Sequence, residues 1–184
     1  MDLFNQSSAT FSQCRKYRYV LSRVWDAYKL RIAFVGLNPS TANESTDDPT
    51  IRRVVSFANC FGYGGVYMLN LFAYVTPYPF ELKQCEDPIK NNDEYLSHYS
   101  SLVDKVVFCW GNFDVFGRDL KVASMFPKAY CLGLNASGSP RHPLYLKSDT
   151  HLIPFRAKAQ NSGKCKAVNE PINISRYGLK NNVG

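Results

Sequence analysis

Closely spaced cysteine pairs are missing from this sequence. Its six cysteines, Cys14, Cys60, Cys85, Cys109, Cys131 and Cys165, never stand as CxxC, which argues against a zinc ribbon or a disulfide framework. They read as reduced thiols, several of them buried. Histidine is scarce as well. His98, His142 and His151 do not fall at a recognisable ligand spacing, so no metal and no cofactor is expected. No apolar run approaches the ~18 residues of a membrane span. The opening MDLFNQSSATFSQCRK has neither the basic start nor the apolar stretch of a signal peptide. A soluble, cytoplasmic protein without a membrane partner is the expectation. A GxGxxG is absent too: GYGG at 62–65 precedes a strand-like run and reads as a turn rather than a dinucleotide fingerprint.

What is present suffices for one core. A chain of 184 residues with 45% hydrophobic and 14% aromatic content predicts one domain, over residues 1–155. The net charge is +7, and the segment from Arg156 onward supplies +5 of it through Arg156, Lys158, Lys164, Lys166, Arg176 and Lys180 against Glu170. This basic tail, 156–184, has two open readings: a non-specific grip on nucleic-acid phosphates, or a solvated end.

Short apolar runs alternate with helical patterns, which predicts an α/β fold of three layers, α/β/α, around a short central parallel sheet of about four strands. The strand candidates are IAFVG (32–36), VYMLN (66–70), VVFCW (106–110) and AYCLG (129–133). YRYVLSRVW, ahead of them, reads as an antiparallel edge strand. The first helix has a legible start, with Asp48 as cap, Pro49 at the first helical position and Ile51, Val54, Val55 and Ala58 on one face. It ends near Gly62. Further helices are expected in NDEYLSHYSSLV and VFGRDLKVASMF, the second of these stopped by Pro127. Each strand then runs into a polar or turn-forming loop: GLNPS, LNLFAY, CWGN and GLNASGSPRHPLY. Four such loops share one edge of the sheet, where open α/β folds bind ligands.

The stretches RYVLSRVWD, GLNPSTAN, DDPTIRR, GYGGVYMLNLFAY and SGSPRHPLYL resemble, from about Tyr17 to Phe155, a bacterial and phage family known only as a domain of unknown function. More distantly, their order is similar to the uracil-DNA glycosylase superfamily, which has a GxNPG or GxDPY motif at a strand end, a later strand ending in asparagine, and a late HPS-type loop. The resemblance puts Gly36, Leu37, Asn38 and Pro39 in the first motif, Asn70 at the base-reading position, and His142 with Pro143 in the last. Leu144 stands where a serine is usual, Asn38 where the most active branches carry an acid, and the four-cysteine pattern of the iron–sulfur branches is absent.

Cleaving an N-glycosidic bond leaves negative charge on the departing base and requires a placed water. Asn38 could hold that water through its side-chain carbonyl, and His142 could donate to the departing base. Asn70 could read an extruded base edge. Phe72 or Tyr74 offers a stacking surface, while Arg141 and Ser139 are placed to grip phosphate. Each has a plainer reading: Asn38 as a turn residue, Asn70 as a buried structural amide, Phe72 and Tyr74 as core, His142 as a structural histidine. Asp47, Asp48 and Arg52 form a secondary set, with Asp48 explained first by capping. The implied function is nucleobase recognition with N-glycosidic hydrolysis, the partner being nucleic acid, DNA foremost, or a nucleotide. A catalytically inactive binding module and a metal-dependent hydrolase built on Asp47 and Asp48 are the alternatives.

Overall fold

The computed structural model describes residues 6–156, so the basic tail beyond Arg156 lies outside the described residues. The described residues form a mixed α/β fold of seven strands and three α-helices: β1 (Gln6–Phe11), β2 (Arg18–Val24), β3 (Arg31–Gly36), α1 (Pro49–Cys60), β4 (Gly65–Asn70), α2 (Asn92–Ser100), β5 (Lys105–Phe108), α3 (Arg118–Met125), β6 (Tyr130–Cys131) and β7 (Ile153–Pro154). The strands form one sheet in the order β1-β2-β4-β3-β5-β6-β7.

The expected sheet of about four parallel strands is corrected to a mixed sheet of seven. β4, β3, β5 and β6 pair in parallel, while β1, β2 and β7 are joined to it antiparallel. The N-terminal segment expected at the edge is β2, an interior strand. It bonds β4 on one side and is covered on the other by β1. QSSATF carries too little apolar side chain to announce a strand, so its place depends on the backbone ladder it completes along β2.

Alternation along each strand sorts the core onto the two sheet faces, as a period of two requires. Ile32 and Phe34 of β3 join Val66 and Met68 of β4 and Val107 of β5 under Ile51, Val54, Phe57 and Ala58 of α1. Ala33, Val35, Leu69 and Phe108 face the other way, against Leu96 of α2 and Val122 of α3. The α1 start is as its sequence announces: Asp48 accepts at 2.9 Å from the Ile51 N–H, with Pro49 next. Helix α3 begins only at Arg118, because Gly117 takes a left-handed φ of 76° just before it. Helix α2 stops at Ser100, short of its expected end, and Leu102 is left 50% exposed. Among the described residues no helix is long and apolar enough to cross a membrane.

Candidate functional site

The exits of β3 and β4 are zipped together residue by residue. Leu71 N–H donates to Gly36 O at 2.8 Å, Phe72 N–H to Leu37 O at 3.0 Å, and Thr76 N–H to Pro39 O at 3.0 Å. Asn38 completes the zipper with its side chain: Nδ2 donates to Pro39 O at 2.9 Å and Thr76 O at 2.7 Å. Both amide hydrogens are thereby engaged, and Oδ1 is left as the open acceptor. On the neighbouring strand end, Asn70 is 1% exposed, and neither its Oδ1 nor its Nδ2 has a partner. Gly36 makes room for that amide. A Cβ there would stand 2.5 Å from Met68 Cε and 3.0 Å from Asn70 Oδ1.

The last loop is brought to the same edge by three anchors. Gly111 N–H donates to Pro140 O at 3.0 Å, Arg141 N–H to Gly133 O at 2.9 Å, and Arg53 of α1 donates to Leu146 O. They set His142 at the head of the short 3-10 turn Pro143–Tyr145, where Nδ1 accepts from the Leu144 N–H at 3.4 Å. A neutral ring that accepts at Nδ1 carries its hydrogen on Nε2.

These loops enclose a cavity of about 200 Å³. Its walls include Gly36, Leu37 and Asn38 from the β3 exit, Met68 and Asn70 from β4, Asp48, Thr50 and Ile51 from the α1 start, and His142. Arg18, Thr76 and Trp110 line it as well. An apolar cavity of ~150 Å³ holds benzene, so this one has room for a six-membered ring with its exocyclic groups. A larger cleft of about 400 Å³ lies alongside, sharing Trp110 and lined by Asn112, Ser137, Ser139 and Phe155. Its polar groups satisfy one another: Ser137 and Ser139 both donate to Asn112 Oδ1, at 2.6 and 3.0 Å. The smaller cavity is lined by Asn70, with both side-chain polar atoms buried and unpartnered, and by Arg18, whose Nε is likewise unpartnered, which marks it as the candidate site.

Electrostatics within it centre on Asp48. Burial lowers the His142 pKa below the ordinary value, while the Asp48 carboxylate opposes that shift, so the ring is neutral at pH 7. Since the folded value lies below the unfolded one, the stability this neutral ring contributes is present above about pH 6.5 and lost as the pH falls through the folded pKa. An NMR titration is expected to place the His142 midpoint below the usual histidine value and to place it lower still in Asp48→Asn. An unchanged midpoint in the variant would remove Asp48 as a neighbour of the ring. The Asp48 charge likewise supports the guanidinium of Arg18, whose pKa burial pushes down to about 10.

Other expected residues stand elsewhere. Phe72 is buried in the core beside Leu71. Tyr74 packs edge to face on Tyr17 with ring centres 5.9 Å apart. The aromatic in the cavity wall is instead Trp110, in the CWGN loop just past the end of β5. Ser139 belongs to the neighbouring cleft, and Arg141 is exposed. Pro39 is buried and contributes its carbonyl to the zipper. Asp47 accepts at 2.9 Å from Nε of the buried Arg23, and Arg52 donates to the Asp47 carbonyl. Among the described residues no three His, Cys, Asp or Glu side chains gather as a metal-binding group. The sequence reading missed Arg18. Its signal was an arginine inside a strand whose neighbours are Tyr19, Val20 and Leu21, where only a buried, purposeful charge fits.

Fold and cavity together define a mixed α/β protein with a small polar cavity at the carboxyl ends of its parallel strands. Residues 18–144 match the family model described as Protein of unknown function (DUF1643), and the chain belongs to that family. No curated protein and no solved structure matches the chain.

Proposed function

We propose that the cavity receives a nucleobase, from DNA or a nucleotide, and that the protein hydrolyses its N-glycosidic bond in the manner of the uracil-DNA glycosylases. One observation carries the reading: Asn38, Asn70 and His142, distant in sequence, line a single cavity of about 200 Å³, and the buried Asn70 amide has both its donor and its acceptor unfilled. A buried amide without partners is destabilising unless a ligand supplies them. A base edge carrying one acceptor and one donor does so.

In this reading the base enters the cavity by extrusion from its stack and Asn70 bonds its edge. Asn38 Oδ1 holds a water at the far side of the sugar. Asp48 stands in the same wall, one oxygen committed to the α1 cap. Its other oxygen supplies the carboxylate base that an amide at position 38 cannot provide. As the bond from C1′ to the base nitrogen breaks, its electron pair goes to the base. The Nε2–H of His142 then bonds the developing anion. The water oxygen bonds C1′ and releases its proton to Asp48. The parallel core of the sheet with helices on both faces supports the same fold-level comparison, including a three-layer arrangement.

The test is cleavage of labelled oligonucleotides bearing uracil, hypoxanthine, xanthine or an alkylated base. Wild type is expected to leave an abasic site. His142→Ala is expected to slow this by about 10²–10³-fold and Asp48→Asn by about 10²-fold or more. Base-dependent retention without product identifies a binding module instead. Absence of both product and retention sinks the reading.

A further inference from the structure

Three arginines of the described chain are buried: Arg18 at 2%, Arg118 at 4% and Arg23 at 7% exposure. Two of them are paired. Arg23 meets Asp47 at 2.7 Å, and Arg118 meets Asp93. Arg18 forms no such ion pair among the described residues. Its Nη1 donates to Ala42 O at 2.7 Å, and its Nε is buried without a partner. Of the three, Arg18 alone lines the cavity. A guanidinium stays protonated at neutral pH even with its pKa pushed down to about 10. The Asp48 carboxylate supports that charge through space but forms no ion pair with it, and a buried cation without a bonded partner is unfavourable; the cavity wall is where a bonded anion can arrive.

We infer that the ligand of this cavity carries an anionic group and that Arg18 is the residue that binds it, making it the specificity-determining residue of the site. The anion is argued from Arg18 alone. That the rest of the ligand is a base rests on the nucleobase reading above. The chemistry narrows further. Asp48, in the same wall, repels a second negative charge, so a monoanion is favoured over a phosphate dianion. The volume admits one ring with a carboxylate directly on it. A carboxylated pyrimidine meets both conditions, with the carboxylate on Arg18 and the ring edge on Asn70.

The experiment is calorimetric titration of the full chain at fixed ionic strength with uracil, 5-carboxyuracil, 6-carboxyuracil, benzoate and inorganic phosphate, using wild type, Arg18→Gln and Arg18→Lys. One carboxyuracil is expected to bind about ten- to a hundredfold tighter than uracil, the difference made by a charge-assisted hydrogen bond. That preference collapses in Arg18→Gln. Should Arg18→Gln not fold, Arg18→Lys decides: an ammonium lacks the planar fork, so the preference shrinks, and an unchanged preference overturns the inference. Benzoate or phosphate bound in an Arg18-dependent way, with no affinity for any uracil, keeps the anion site and removes the nucleobase reading. Uracil bound as tightly as its carboxylated forms overturns the anion site and leaves the nucleobase reading standing. No anionic probe bound by wild type overturns the inference outright.

Discussion

Asp93→Asn is expected to lower the unfolding free energy by about 3 kcal/mol, the low end for removing one member of a buried ion pair, and to loosen the cavity from behind. Arg118 has only 3% of its side chain exposed and is bonded to Asp93 through Nη2. Its Nε donates to Leu71 O at 2.9 Å. Beside it, Asn92 Nδ2 reaches Asn70 O at 2.7 Å and Leu71 O at 3.2 Å. The backbone that presents Asn70 to the cavity is therefore clamped by two side chains, and Asp93 neutralises the charged one. Asp93 is itself about one-third exposed, which keeps the effect at the low end. Partial burial raises the Asp93 pKa, but hydrogen bonds from Arg118 and Lys121 outweigh it and leave the carboxyl below its usual range. A depressed carboxyl pKa contributes stability that is present above about pH 4 and lost as the pH falls through the folded value. Urea unfolding of wild type and variant should thus differ most at neutral pH and converge on acidification. A difference that does not shrink as the pH falls would show that the Asp93 charge is not what the variant removes, and no difference at neutral pH would show that the Leu71 carbonyl holds Arg118 without the ion pair.

The four parallel strands were legible because each is a short apolar run bounded by turn chemistry, and because such runs are buried on both faces. The α1 start was legible for a local reason: Asp48 and Pro49 act within one helical turn. Where the sequence misled, the cause lay in tertiary context. Ser7 and Ser8 of β1 pair with Arg23 and Ser22 of β2, and nothing in QSSATF signals that partner strand. β7 is two residues long and rests on pairing with β6. Leu102, within the stretch NDEYLSHYSSLV expected to be helical, falls past Ser100 where the helix ends, so helical periodicity no longer directs it. The site was legible in part for a related reason. Asn38, Asn70 and His142 each follow an apolar strand or sit in a Pro-rich loop, and the strand ends of a parallel sheet must share an edge. Arg18 was not, since β2 contributes its first residue from a strand antiparallel to the others, and a rule about strand carboxyl ends does not reach it. Phe72 and Tyr74 failed to reach the cavity because the zipper of Leu71 and Phe72 onto Gly36 and Leu37 turns that segment back into the core.

Replacing the amide at the centre of the cavity separates a structural role from a functional one, because the two predict opposite signs. Asn70 has both side-chain polar atoms buried and unpartnered, a state that costs about 1–3 kcal/mol per unsatisfied group. Its main-chain carbonyl accepts from Asn92, and that bond survives any substitution of the side chain. Asn70→Leu keeps the same branched outline of four side-chain heavy atoms, directs its larger volume toward the cavity that residue 70 lines, and removes two orphaned polar atoms. It is expected to stabilise the protein by about 2 kcal/mol, raising Tm by about 4–8 °C for a chain of this size. The same change should abolish base recognition, reducing binding or turnover by about 10²-fold or more as two hydrogen bonds to the ligand vanish. Higher stability with lost function is the signature of a group held in an unfavourable state for its ligand. If Asn70 served as an architectural pin, its replacement would lower Tm while leaving ligand affinity to follow the loss of fold. Thermal unfolding and ligand titration of the one variant, read together, distinguish the cases, since no purely structural amide yields a more stable protein that no longer binds.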